Sequence, residues 1–198
     1  MTLIHPLLCH LTEEQLGKIK IFDFDTNQVI FNEGGICSSV GFVLDGEIII
    51  STISVSGREE YFAVLKENDT FGNVLVFSEN PLYLGDVIAK RKSRVALLSK
   101  SYLLKFMTEN KQLLEAYLGL LCDETLAAKK DRKMLLQKTI SDRLLFYIQE
   151  NGGSITISSI TDLAKKLSYP RPSLSRTINC LIDDGVLELS NKELRIIK

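Results

Sequence analysis

The chain has no tryptophan, four prolines, two histidines and four cysteines that stand far apart. Cys9, Cys37, Cys122 and Cys180 form no C-x-x-C pair, and among them only Cys9 has a histidine beside it. Neither a disulfide framework nor a zinc site is therefore expected, and buried, reduced thiols are. An excess of either charge is also lacking. The 24 Lys and Arg nearly balance 25 Asp and Glu, for a net charge of −1, so whole-chain charge points to no nucleic-acid partner. No apolar run approaches the roughly 18 residues of a membrane span. The opening MTLIHPLLCHL has no basic residue ahead of its apolar part, unlike a signal peptide, and a cytoplasmic protein without a membrane partner is expected. Catalytic signatures are missing too: there is no G-x-S-x-G, no phosphate-cradling glycine loop with lysine and no H-E-x-x-H, and His5 and His10 both lie near the N-terminus. An enzyme is not expected.

What is there falls into three textures. With 198 residues, 45% hydrophobic and 25% charged, the chain can bury one large core or two modest ones. Thr12-Glu13-Glu14-Gln15 has the spacing of a helix-starting capping box ahead of Leu16 and Ile19. From Ile21 to Leu98 short apolar runs (Val29–Phe31, Val40–Leu44, Ile48–Ile50, Tyr61–Leu65) alternate with turn signals at Gly34-Gly35, Asp45-Gly46, Ser56-Gly57, Asn68-Asp69 and Gly72. That rhythm indicates an antiparallel roll or sandwich. Its densest basic run, Lys90–Arg94, leaves nucleic-acid contact open, but the apolar runs on either side favour a solvated strand edge.

From Lys111 to Leu136 the apolar period becomes helical, with Leu113, Leu114, Tyr117, Leu118, Leu120, Leu121, Leu126 and Met134. A stripe this long needs cover along its whole length. Part can lie on the roll, and the rest is easiest to bury against a twin helix of a second subunit, with Tyr117, Leu121 and Leu126 as candidate dimerisation residues.

The third texture runs from Thr139 to the end, and its centre is Ser159 to Gly185. From Gln137 onward there are 9 Lys and Arg against 7 Asp and Glu, a weakly basic balance. A helix starting at Thr139 is stopped by Asn151-Gly152-Gly153, and Ser154–Ile157 can form a short strand. Ser159-x-x-Asp162 announces a short helix carrying Leu163 and Leu167. After a break at Ser168-Tyr169-Pro170, a second helix starts around Arg171-Pro172, where proline is tolerated. At about 100° per residue, Leu174, Ile178, Leu181 and Ile182 take one side of it, and Pro172, Ser175, Arg176 and Asn179 the other. That polar side carries no acid before Asp183. Such a face suits the DNA major groove, where carboxylates meet phosphate repulsion and Arg and Asn can bond base edges. The pair by itself is equally a pair of packed helices with a solvated face. Gly185, the alternating Val186–Leu189, the turn Asn191-Lys192 and the returning Leu194–Ile197 add a two-stranded wing, which shifts the balance to DNA binding.

The order of roll, long helix and winged helix-turn-helix resembles the CRP/FNR family of bacterial transcription regulators over essentially the whole chain. The likeness is carried by Val29-Ile30-Phe31 with Gly34, by Val43-Leu44-Asp45-Gly46-Glu47-Ile48, by Asn68-Asp69-Thr70-Phe71-Gly72, and by Arg171-Pro172-Ser173-Leu174-Ser175-Arg176. The fold it implies is α+β. An effector-sensing, cyclic-nucleotide-binding-like β-roll with a short N-terminal helix would occupy 1–110, a dimerisation helix 111–136 and a winged helix-turn-helix 137–198.

The resemblance also implies a dimer on a near-palindromic double-stranded DNA operator, with RNA polymerase as a conceivable further partner. Arg171, Ser173, Ser175, Arg176 and Asn179 would face DNA. Arg176 matches the arginine that contacts a guanine in family members, Ser175 the serine of the FNR-like branch and Arg171 the first arginine of the CRP-like branch. Pro172 departs from the pattern, standing where both branches usually place a glutamate that accepts from cytosine. An effector pocket is expected near Gly72, Asn73, Phe77, Tyr83, Leu84 and Ala128. Cyclic AMP is not expected in it, because Asn73, Tyr83 and Leu84 replace the glutamate and the Arg-Ser or Arg-Thr pair of cyclic-AMP-binding members, and a buried phosphate without a cation is costly. Ala128 and Lys129 also replace the Thr and Ser that meet the adenine. An FNR-type iron–sulfur cluster lacks its cysteines. A haem on His5, His10 or Cys37 stands against the structural role that isolated residues of these types usually have. The effector is left unidentified, and a ligand-binding or scaffold module whose winged helix contacts protein is the competing function.

Overall fold

The structure, a computed structural model, describes residues 5–197, with Phe62 described by its backbone alone. The chain forms two compact units, Met1–Asp123 and Glu124–Lys198, and the division falls inside the long helix.

The first unit is built on two four-stranded antiparallel sheets. Strands β1 (Lys20–Phe24), β8 (Ser93–Ser99), β3 (Ser39–Asp45) and β6 (Thr70–Phe71) make one in that order; β2 (Val29–Phe31), β7 (Asp86–Ala89), β4 (Glu47–Ile53) and β5 (Glu59–Lys66) make the other. Period-two alternation sends Val40 and Phe42 of β3, with their partners Leu98 and Ala96 of β8, into one core shared with Ile48 and Val87. The turn from β3 to β4 depends on Gly46, which has φ +102° and approaches Ser93 so closely that a Cβ there would lie 2.2 Å from its Oγ. Ser93 Oγ accepts from Glu47 N at 3.1 Å and donates to Arg91 O at 2.7 Å.

Helices close this unit at both ends. The capping box forms as expected at α1 (Glu13–Leu16): Thr12 Oγ1 accepts from Gln15 N, and Gln15 Oε1 from Thr12 N at 3.0 Å. After β8 the chain makes a helix the sequence reading did not anticipate, α2 (Lys100–Glu109), which buries Leu103, Phe106 and Met107 at helical spacing. Asn110 ends α2 and caps α3 (Lys111–Leu135): its Oδ1 accepts from Leu113 N at 3.1 Å while its Nδ2 donates to His10 O at 2.7 Å. Leu113 and Tyr117 of α3 are buried in the roll core.

The second unit holds α4 (Ile140–Glu150), β9 (Ser154–Thr156), α5 (Ile160–Leu167), α6 (Arg171–Asp183), β10 (Leu187–Ser190) and β11 (Glu193–Ile196), with an antiparallel sheet in the order β10-β11-β9. Its own core gathers Leu144, Ile148, Leu163, Leu167, Leu174, Ile178, Leu187 and Leu194.

Two expectations need correction. All four cysteines are unpaired, but only Cys37 is buried; Cys9, Cys122 and Cys180 are exposed, because they occupy outward positions of helical segments. Tyr117, expected at a dimer interface, is 2% exposed and its hydroxyl donates to Asn73 O at 2.7 Å. It is a core residue of the roll and has no surface to offer a partner. Among the described residues no helix is long and apolar enough to cross a membrane.

Candidate nucleic-acid interface

Each element of the helix-turn-helix is set by local chemistry. Ser159 caps α5, its Oγ accepting from Asp162 N at 3.0 Å and donating to the Asp162 carboxylate at 2.7 Å, with Ser158 Oγ donating to the same oxygen at 3.2 Å. These two hydroxyls, Ser159 first, hold the Asp162 carboxyl below its ordinary pKa. The helix ends where Ser168 turns left-handed (φ +58°) and Tyr169 N bonds back to Ala164 O at 3.0 Å, the 6→1 bond of a Schellman motif. Pro170 then stands at the N-cap of α6 without a side-chain cap, and Pro172 sits in the first turn, where its missing N–H costs nothing.

The faces of α6 separate as the spacing predicts. Leu174, Ile178 and Leu181 are buried; Arg171, Pro172, Arg176 and Asn179 are exposed; Ser173 and Ser175 are half-buried. Arg176 Nε donates to Pro172 O at 3.2 Å, which steadies the side chain through a nitrogen that a bidentate guanine contact does not need. Thr177 Oγ1 donates to Ser173 O at 3.0 Å. At the far end, the Asp184 carboxylate beside Cys180 raises the pKa of its thiol.

The wing is a two-residue hairpin. Asn191 (φ +49°) and Lys192 (φ +66°) both take positive φ, as a type I′ turn requires. Lys192 O accepts from Ile157 N at 2.8 Å, tying the tip to the chain after β9. This holds the exposed Lys192 at the wing tip. It was not among the DNA-facing residues expected from sequence, although the turn was; an N-K dipeptide between alternating apolar residues is the signal that would have found it.

The residues expected around an effector are placed less uniformly. Gly72 has φ +73°, and a Cβ there would meet Cys37 Sγ at 2.8 Å. Asn73 is buried, and Phe77 lies edge-on to Tyr117 with ring centroids 6.0 Å apart. Tyr83 is 4% exposed, stacks on Phe31 at 4.8 Å and sets its hydroxyl beside Cys37. Burial, with the Cys37 contact second, pushes that phenol's pKa far up. Leu84 is instead 69% exposed. Ala128 is exposed on the part of α3 that belongs to the second unit.

The basic run is largely occupied within the roll. Arg94 donates to both Asp23 carboxylate oxygens at 2.7 and 3.2 Å, Arg91 Nη2 to Gly46 O at 3.1 Å, and Lys90 Nζ lies 5.4 Å from the Tyr61 ring centroid. The run spans the connection from β7 to β8, each of which has a neighbour on both sides, so it is a solvated turn between interior strands and not the strand edge expected.

An antiparallel roll, a long helix and a winged helix-turn-helix, in that order, are the fold of the CRP/FNR-type transcription regulators. Residues 21–110 match the sequence model of the cyclic nucleotide-binding domain. Three solved structures share the arrangement nearly end to end. FixK2 of Bradyrhizobium japonicum is 19% identical, with 91% of this chain and 93% of that one covered and a TM-score of 0.54. The catabolite activator protein of Thermus thermophilus is 17% identical, covering 96% and 93% at a TM-score of 0.52. DNR of Pseudomonas aeruginosa is 21% identical, covering 98% and 91% at a TM-score of 0.52. No curated protein sequence matches the chain.

Proposed function

We propose that the chain is a sequence-specific, DNA-binding transcription regulator that acts in the cytoplasm as a homodimer. The observation that carries this reading is the exposed side of α6. It offers Arg171, Arg176 and Asn179 with no carboxylate before Asp183, on a helix whose opposite side is anchored by Leu174, Ile178 and Leu181. Arg176 would read a guanine through both terminal guanidinium nitrogens, Asn179 and Ser175 would add base-edge or phosphate contacts, and Arg171 and Lys192 would meet phosphates.

Two copies are needed because a palindrome presents the same groove twice, about 34 Å apart. The surface proposed for pairing is the outward stripe of α3, where Leu118 is 51% and Leu126 is 55% exposed, with Leu114 and Leu121 between roll and stripe. An effector bound to the roll would act by favouring one arrangement of the dimer over another. Cyclic AMP is not the effector proposed: the positions matched to its phosphate cradle carry the buried phenol of Tyr83 and the apolar Leu84, and neither is a cation.

Selection of duplexes from a random pool by purified protein tests the reading. Enrichment of a two-fold motif with half-sites about 10 base pairs apart supports it. Binding to protein partners with no enriched motif, and no steep loss of duplex affinity as salt rises, would establish the protein-contact alternative. Binding of cyclic AMP at micromolar affinity or better would overturn the exclusion of that ligand.

A further inference from the structure

One side chain in the second unit touches the end of α3, the end of α5 and the turn before α6. Arg143, in the first turn of α4, donates from Nη1 to Leu167 O at 3.1 Å and from Nη2 to Gln137 O at 3.1 Å and Leu135 O at 3.2 Å. Its guanidinium carbon lies 4.5 Å from the centre of the Tyr169 ring. Leu135 is the last residue of α3 and Leu167 the last of α5. Both carbonyls are at helix ends, where intrahelical donors run out and the negative pole of the helix is concentrated. Tyr169 directly precedes Pro170, the N-cap of α6.

Stability alone accounts poorly for an arginine here. Its Nε is buried without a hydrogen-bond partner, and among the described residues no carboxylate pairs with it. A buried donor left without a partner is costly. What arginine supplies, and neither lysine nor an apolar residue can, is a planar fork that bonds several acceptors at once while stacking on a ring. We propose that Arg143 is a positioning residue for DNA binding. It locks the last turn of α3, the end of α5 and the turn before α6 into one arrangement, so that the attitude of Arg171, Arg176 and Asn179 follows the end of α3. This inference rests on the DNA-reading function proposed above.

The test uses full-length Arg143→Lys and Tyr169→Leu proteins. The lysine keeps the charge but not the fork; the leucine removes the stack and leaves the carbonyl bonds. Both variants should keep wild-type helix content, a cooperative melt and affinity for a scrambled duplex within about twofold. Their preference for the selected palindrome over that duplex should fall at least about tenfold. Hydrogen exchange should accelerate at the amides of Tyr169, Ser173 and Leu174, whose acceptors are Ala164 O and Pro170 O, with Ile178 in mid-helix unchanged. A residue that merely caps helices would instead lower the melting temperature and speed exchange evenly through α4, α5 and α6, with the palindrome preference intact; that result overturns the proposal. If Arg143→Lys does not fold, Tyr169→Leu decides. If the wild type enriches no duplex at all, the DNA-reading function fails before any variant is made, and the exchange pattern still decides whether Arg143 positions α6.

Discussion

Replacing Arg176 by alanine is the sharpest perturbation of the proposed interface. The side chain is exposed and makes its intramolecular bond through Nε to Pro172 O, so its removal should leave Leu174, Ile178 and the fold intact. A bidentate arginine–guanine contact contributes about 1–3 kcal/mol of discrimination. In a two-fold complex the contact occurs twice, so specific binding should weaken by about 2–6 kcal/mol. At about 1.4 kcal/mol per tenfold, that is one and a half to four orders of magnitude. Binding titrations against the palindrome and against versions carrying each of the four base pairs at one symmetric position would read it. The wild type should prefer one pair at that position, and Arg176→Ala should bind all four alike. Arg176→Lys should fall between them, keeping the charge and the salt dependence but losing the planar fork. If Arg176→Ala weakens binding equally on every duplex and keeps the base preference, Arg176 contacts phosphate and another residue reads the base.

Other consequences follow from packing and charge. Gly41→Ala would set a Cβ 2.1 Å from the Phe71 ring, and such overpacking should cost about 1–3 kcal/mol; thermal melts should show a clear drop that Phe71→Leu partly restores, and an unchanged melt would refute the contact. Leu118→Asp should shift the sedimentation of the protein from dimer to monomer at low concentration and weaken palindrome binding in parallel, whereas a wild type that sediments as a monomer throughout would remove α3 as the interface. His5 is buried with Nδ1 accepting from Leu7 N at 3.1 Å, and burial lowers its pKa from 6.5 despite the opposing Asn68 carbonyl and Asp69 carboxylate. Below about pH 6.5 the unfolded chain therefore binds a proton that the folded one resists, so stability should decline as pH falls through 6.5 and stop declining below the depressed folded value. His5→Asn should flatten that part of the melting-temperature profile, and a profile with the wild-type slope would show that His5 contributes nothing to it.

Features whose causes lie within a few residues were legible without a structure. The capping box of Thr12 and Gln15, the Ser159 cap, the break at Ser168–Pro170, the division of α6 into Leu174, Ile178 and Leu181 against Arg171, Arg176 and Asn179, and the Asn191-Lys192 turn are all short-range. Hydrogen bonds and side-chain periods of this range are written in adjacent letters. The exposed, acid-free side of α6 was legible for the same reason.

What the sequence by itself determined, then, is which residues share a face and, α2 apart, where the helices start and stop. What those faces meet was decided only by the tertiary structure. Tyr117 and Leu118 are neighbours on one helix and belong to the same apolar stripe, yet one hydrogen-bonds Asn73 O inside the roll and the other is half exposed. Tyr83 and Leu84 divide in the same way between core and surface. Helix α2 was hidden because it starts directly after a strand and its exposed lysines dilute the apolar period of Leu103, Phe106 and Met107. Arg143 carried no signal at all, because the carbonyls of Leu135, Gln137 and Leu167 come together only when three helices pack. Backbone acceptors have no residue type, so a site built from them is invisible in sequence and exists only in the folded chain.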